Sequence, residues 1–168
     1  MSLEHVILVD EYDTELGTME KMEAHLKGEL HRAFSVIIMN GKGEMLLQQR
    51  ALHKYHSGGL WTNACCSHPR PGESIITAAN RRLQEEMGLK TVLQIKSHFI
   101  YKASFENGLT EHELDYVLVG NSDLEPLINP DEVNDFKWIA IDTLKMSIVS
   151  YPELYTVWFR ELFHRNLL

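Results

Sequence analysis

Glu73-Ser-Ile-Ile-Thr-Ala-Ala-Asn-Arg-Arg-Leu-Gln-Glu-Glu-Met-Gly-Leu89 reads as one amphipathic helix with its stop signal attached. Ile76, Ala79, Leu83 and Met87 recur at helical spacing, the start falls at Glu73 or Ser74, and Gly88 is the expected terminator. Glu85 and Glu86 occupy the last turn, the negative end of the helix dipole, where each carboxylate costs a few tenths to about 1 kcal/mol. Solvation at the surface is the plain explanation for such a pair; a cation held nearby is the chemical one. Immediately upstream lies Trp61-Thr-Asn-Ala-Cys-Cys-Ser-His-Pro69, which holds both cysteines of the chain and a histidine two residues past the second. A thiol is a usable acid or base near neutral pH, and an imidazole binds metals.

The remainder of the chain sets the limits. At 168 residues, 44% hydrophobic and 24% charged, it has the composition of a soluble globular protein, expected as a single domain over residues 1–168. No stretch approaches the roughly 20 apolar residues of a membrane span. Cys65 and Cys66 are neighbours, so a disulfide between them would be strained and close almost no loop. Free thiols point to a reducing compartment, the cytoplasm. A net charge of −8 argues against a nucleic-acid surface and requires that an anionic ligand meet local cations or metal ions. The sequence leaves the oligomeric state open.

Taken in order, 3–9 reads as a strand, 14–26 as mostly helical, and 33–39 and 44–50 as a hairpin across Asn40-Gly41-Lys42-Gly43. Residues 51–60 read as a loop, 92–104 and 111–119 as paired strands, and 136–141 as a short strand. A last helix is expected to open at Pro152, with Leu154, Val157, Trp158 and Leu162 at helical spacing. Strands and helices mix without βαβ alternation, which predicts an α+β fold, a mixed sheet core flanked by helices. Glu111 and Glu113, two apart on a predicted strand, point to the same face.

Glu73, Arg81, Leu83, Glu85, Glu86, Gly88 and Leu89 fall at the spacing of a Nudix box. Two positions depart from it: Ser67 stands for the leading glycine, and Arg82 for the glutamate expected after the arginine. Position 82 shares a helix face with 85 and 86, so a three-carboxylate array becomes two carboxylates and an arginine. That weakens an array for hydrolysing pyrophosphate with several metals, and leaves room for one metal beside a diphosphate. Arg82 pairing with Glu86 is the structural alternative.

Together with His31-Arg-Ala-Phe-Ser35, Leu46-Leu-Gln-Gln-Arg50, the 61–69 stretch and Glu111-His-Glu113, the pattern resembles type I isopentenyl-diphosphate Δ-isomerase, a Nudix branch that isomerises. The resemblance runs from about Lys21 to Trp158 and implies interconversion of isopentenyl and dimethylallyl diphosphate through a carbocation. It implies Cys66, not Cys65, as catalytic acid/base, with Glu113 its partner across the substrate and Tyr101 bonded to that glutamate. Trp158 would face the cation, with Trp61 the second candidate. His25, His31, His68, Glu111 and Glu113 would form a His3Glu2 centre, whose donors suit Zn²⁺ or Mn²⁺ better than Mg²⁺. Lys21, Arg50, Lys54 and Arg82 would bind the diphosphate, with Mg²⁺ bridging it to Glu86. His5, His53, His56, His98, His112 and His164 read as ordinary surface or core residues.

Overall fold

The computed structural model describes residues 3–168. The helix expected to start at Glu73 or Ser74 is α2, Ile75–Met87. Ser74 caps its start by accepting from the Thr77 amide, and Gly88 ends it at φ 65°, in the left-handed region. A Cβ at Gly88 would meet the Cβ and carbonyl oxygen of Leu127 at 2.8 Å, so the stop position also has to be small. The 122–132 segment packs there because its amides reach the last helical carbonyls, Leu127 to Met87 and Asn129 to Glu86, each at 2.9 Å. The buried face is Ala78, Ala79, Leu83, Glu86 and Met87. Ile76, expected on that face with Ala79, Leu83 and Met87, is exposed, and Ile75 packs against the core instead.

Among the described residues, nine strands form one mixed sheet. In chain order they are β1 (His5–Val9), β2 (Glu15–Glu20), β3 (His31–Met39), β4 (Glu44–Arg50), β5 (Trp61–Asn63), β6 (Cys65–Ser67), β7 (Gln94–Ser104), β8 (Thr110–Asn121) and β9 (Val133–Ala140). The helices are α1 (Lys21–Lys27), α2, α3 (Ile141–Ser150) and α4 (Val157–His164). β3 runs parallel to β8 and antiparallel to β6, which places His31 opposite Glu113 and Ser35 opposite Cys66. The mixed sheet with flanking helices is the α+β architecture expected.

The two-residue period of the strands sorts side chains between two cores. Phe34, Val36, Ile38 and Cys65 pack toward α2 in one core. Ile37, Val117, Tyr101 and Trp158 pack with α3 and α4 in the other, where Cys66 also borders. The adjacent cysteines therefore belong to opposite faces of the sheet.

Two expectations need correction. Residues 14–26 are not one helix: 15–20 pair with β1 as an antiparallel strand, His5 opposite Glu20 through Leu8 opposite Gly17. Only Lys21–Lys27 is helical. Glu, Leu and Met favour a helix locally, but backbone pairing with β1 overrides that preference. Pro152 opens only a single 3-10 turn, Pro152–Leu154; the chain then extends and α4 begins at Val157. That break is held by the Thr156 amide donating to the Trp61 carbonyl at 3.0 Å and the Thr156 hydroxyl to Thr62 Oγ1 at 3.0 Å.

Candidate active site

β8 carries Glu111, Glu113 and Asp115 along one face, and all three line a single cavity. Parallel pairing with β3 brings His31 beside Glu113, the end of α1 supplies His25, and His68 follows β6. His68 Nε2 lies 2.9 Å from Glu113 Oε1, His31 Nε2 lies 3.5 Å from the same oxygen, and the two Nε2 atoms are 3.3 Å apart. The Tyr101 hydroxyl sits 2.8 Å from Glu111 Oε2 and 2.6 Å from Glu113 Oε2, donating to one carboxylate at a time.

The histidines are oriented from behind. His25 Nδ1 lies 2.6 Å from the Lys21 carbonyl and His31 Nδ1 lies 2.8 Å from the Glu29 carbonyl, so each ring spends its proton there and turns a bare Nε2 inward. His25 Nε2 is buried with no hydrogen-bond partner. Donor atoms of His25, His31, His68 and Glu113 fall within 4.8 Å of one another. Converging bare imidazole nitrogens beside a carboxylate fit a divalent metal ion. Burial pulls His25 and His68 below the ordinary imidazole pKa, which keeps them neutral ligands. His31 shifts upward: burial opposes this, and the hydrogen bond and charge of Glu113 outweigh it. Burial alone would raise Glu113, but His31 and His68 hold it well below the usual carboxylate range.

The thiol stands on the same cavity. Cys66 Sγ donates to Asn63 Oδ1 at 2.9 Å and lies 3.5 Å from Ser35 Oγ, which donates to Asp115 Oδ2 at 2.7 Å. Burial, then the Asp115 carboxyl, pushes the thiol far up, so it stays protonated at neutral pH. Burial and Glu113 likewise raise Asp115 well above its usual range. Trp158, 3% exposed, lines the cavity near the thiol. Among the described residues Trp61 does not line it; Lys137 Nζ sits 4.1 Å over the Trp61 ring instead.

Lys21, Arg50, Lys54 and Arg82 also border the cavity. Lys21 pairs with Glu4 and Lys54 with Glu132. Arg82 Nη2 lies 2.6 Å from Glu86 Oε1, the pairing foreseen as its structural alternative, and Arg82 Nη1 reaches Glu85 at 2.7 Å. The Nε atoms of Arg50 and Arg82 are buried without partners, leaving two guanidinium donors for an anion. Glu86, 4% exposed, accepts from Gln48 at 2.8 Å; burial raises it above the usual range despite Arg82.

The cavity therefore joins a proton-donating thiol, a carboxylate set among imidazoles, and a ring of cations. Residues 29–159 match the family described as NUDIX domain. An isopentenyl-diphosphate Delta-isomerase of Pectobacterium atrosepticum is 52% identical over 165 residues, spanning 98% of this chain and 92% of the relative. This chain belongs to the isopentenyl-diphosphate Delta-isomerase family, within the Nudix superfamily. An isopentenyl-diphosphate Delta-isomerase 2 of Photorhabdus laumondii is 50% identical, across 95% of this chain and 90% of the relative. The chain also shares its fold with a Deinococcus radiodurans protein, DR0079, solved by crystallography, at TM-score 0.81 and 20% identity, covering 96% of this chain and 98% of that one.

Some residues of this site carried no legible signal in the sequence. Asp115 continues the alternation of Glu111 and Glu113 and was within reach of it. Ser35, Gln48, Asn63 and His56 come from separate elements and meet only in the folded chain.

Proposed function

We propose that this chain interconverts isopentenyl and dimethylallyl diphosphate by proton transfer on the two sides of the alkene. The observation that carries the reading is the cavity itself. Its lining brings together a protonated thiol, Cys66, a carboxylate, Glu113, and four cationic side chains, Lys21, Arg50, Lys54 and Arg82.

Moving a double bond by one carbon requires adding a proton at one carbon and removing one from another. A thiol kept protonated by burial is a suitable donor, and a carboxylate held ionised by imidazoles is a suitable acceptor. In the reverse direction the roles exchange. Asn63 and Ser35 fix the sulfur, and Tyr101 fixes the carboxylate. The tertiary cation between the two steps needs a partner that excludes water. The Trp158 face supplies that, at about 2 kcal/mol or more when desolvated.

Arg50, Arg82, Lys21 and Lys54 hold the diphosphate, which resolves how a chain of charge −8 binds an anion. Glu86, at the cavity wall, would help hold a magnesium ion that supplies positive charge to the diphosphate. His25, His31, His68, Glu111 and Glu113 would hold a divalent ion, zinc or manganese by their chemistry. Bound there, it would fix Glu113 and tune its proton affinity. No helix of the described residues is long and apolar enough to cross a membrane.

The test is incubation with isopentenyl diphosphate in deuterated water, followed by NMR. Dimethylallyl diphosphate carrying deuterium at the new methyl group is expected. Phosphate release without deuterium in the hydrocarbon would overturn the reading in favour of hydrolysis.

A further inference from the structure

One imidazole in the cavity has no task in the reading above. His56 belongs to the loop between β4 and β5, where exposed neighbours such as Leu52 and His53 face outward, yet it is only 7% exposed itself. Its ring stacks on Phe105 with centroids 4.7 Å apart and planes 12° from parallel, and Trp158 meets it edge-on at 5.8 Å. The ring orientation is therefore set by packing on both sides.

The two ring nitrogens differ. Nδ1 lies 3.2 Å from Ser57 Oγ, on a residue held in the left-handed region at φ 53°. Nε2 is buried and has no hydrogen-bond partner, although Glu111 Oε1 is only 3.0 Å away. An N–H on Nε2 would point past that oxygen. Two ligand atoms this close without a hydrogen bond between them are spaced as neighbouring donors to one cation would be. His25 repeats the pattern, with Nδ1 tied to the Lys21 carbonyl and Nε2 buried and unpartnered. Donor atoms of His25, His56 and Glu111 all lie within 4.8 Å of one another. Ligand bonds of roughly 2.0–2.2 Å put donors around one ion about 3–4.4 Å apart, so this spacing suits a shared ion. A histidine kept only for packing would leave its Nε2 desolvated with no hydrogen bond in return.

We propose that His56 is a metal ligand, a fourth imidazole donating Nε2 to a divalent ion together with His25 and Glu111. The inference rests on the reading of His25, His31, His68, Glu111 and Glu113 as a metal centre and extends its donor set. It also gives the metal a second effect. Lys54 stands two residues before His56, so ligation pins the loop that presents one of the diphosphate cations.

The test uses the full chain reconstituted with Co²⁺ and proton NMR of the exchangeable imidazole N–H signals shifted by the paramagnetic ion. A histidine bound through Nε2 keeps its Nδ1 proton and contributes one such signal. His56→Gln is expected to lose one signal and to weaken Co²⁺ binding roughly tenfold or more. His53→Gln, at an exposed position of the same loop, keeps every signal. A His56→Gln protein with the wild-type set of shifted signals would overturn the proposal. Should that variant fail to fold, histidine-selective ¹⁵N labelling of the wild type decides instead: four shifted imidazoles support the inference and three refute it. Wild-type protein that takes up no Co²⁺ would sink the metal centre itself. Bound Co²⁺ whose signals are indifferent to His56 would sink only this extension.

Discussion

Glu86 of α2 borders the same cavity as the carboxylates of β8, yet the carboxylates at the helix and those on the strand meet opposite kinds of partner. At α2 every carboxylate meets an arginine: Glu73, just before the helix, and Glu85 meet Arg81, and Glu85 and Glu86 meet Arg82. On β8 the partners of Glu111 and Glu113 are a phenol and imidazoles, several presenting bare nitrogens. The helix cluster is paired as protein alone, whereas the strand cluster keeps unpartnered imidazole nitrogens that could hold a metal ion. Cys66 lines the same cavity as Glu113.

Four measurements sharpen or break this contrast. The largest effect belongs to the thiol. Cys66→Ala should lower kcat by roughly 10³–10⁴-fold, about 4–5.5 kcal/mol, with an unchanged far-UV spectrum. Turnover near wild type in a clean preparation would remove the thiol from the chemistry. Next comes chelation. Stripping the metal should lower stability by about 4 kcal/mol if the ion normally stands at a thousand times its Kd, read from urea midpoints with and without added Mn²⁺ or Zn²⁺. Equal midpoints would mean that the strand cluster does not need a cation.

Arg82→Met probes the helix cluster. It leaves Glu86 buried without its charge partner, and a loss of about 3 kcal/mol is expected whether or not metal is present. A loss seen only in the metal-loaded protein would show that the two clusters are one. Glu73→Gln should be mildest, about 1 kcal/mol at pH 7, because the pair with Arg81 sits near solvent. The hydrogen bonds from Arg81 lower the folded pKa of Glu73, against the pull of burial. Its contribution is therefore present above the unfolded carboxylate pKa of roughly 4.3 and lost as pH falls through the lower folded value. Urea midpoints of the two proteins should converge below about pH 4, and a difference that persists there would contradict the assignment.

How much of this was legible in advance varies by element. α2 was readable because its cap, its apolar spacing and its terminal glycine all agree. β2 was not, since Glu15–Glu20 is helix-forming by composition and becomes a strand only because β1 lies beside it. α3 and the short strands β5 and β6 gave too little periodicity to find. Within the site, Glu111, Glu113 and Asp115 share a face by the arithmetic of a strand. His56 looked ordinary because nothing in a loop sequence tells which histidine turns inward.

What the amino-acid order alone determined was local: the helix that carries Arg81 to Glu86, the alternation on β8, and residue types suited to proton transfer and metal binding. The tertiary structure decided everything that depends on two distant segments meeting. Parallel pairing of β3 with β8 set His31 against Glu113, and antiparallel pairing of β3 with β6 set Ser35 against Cys66. Pleating then separated two adjacent cysteines that composition cannot tell apart, sending Cys65 into the α2 core and Cys66 to the cavity. Strand register has no local signature, because it follows from which face each strand must bury against the rest of the chain.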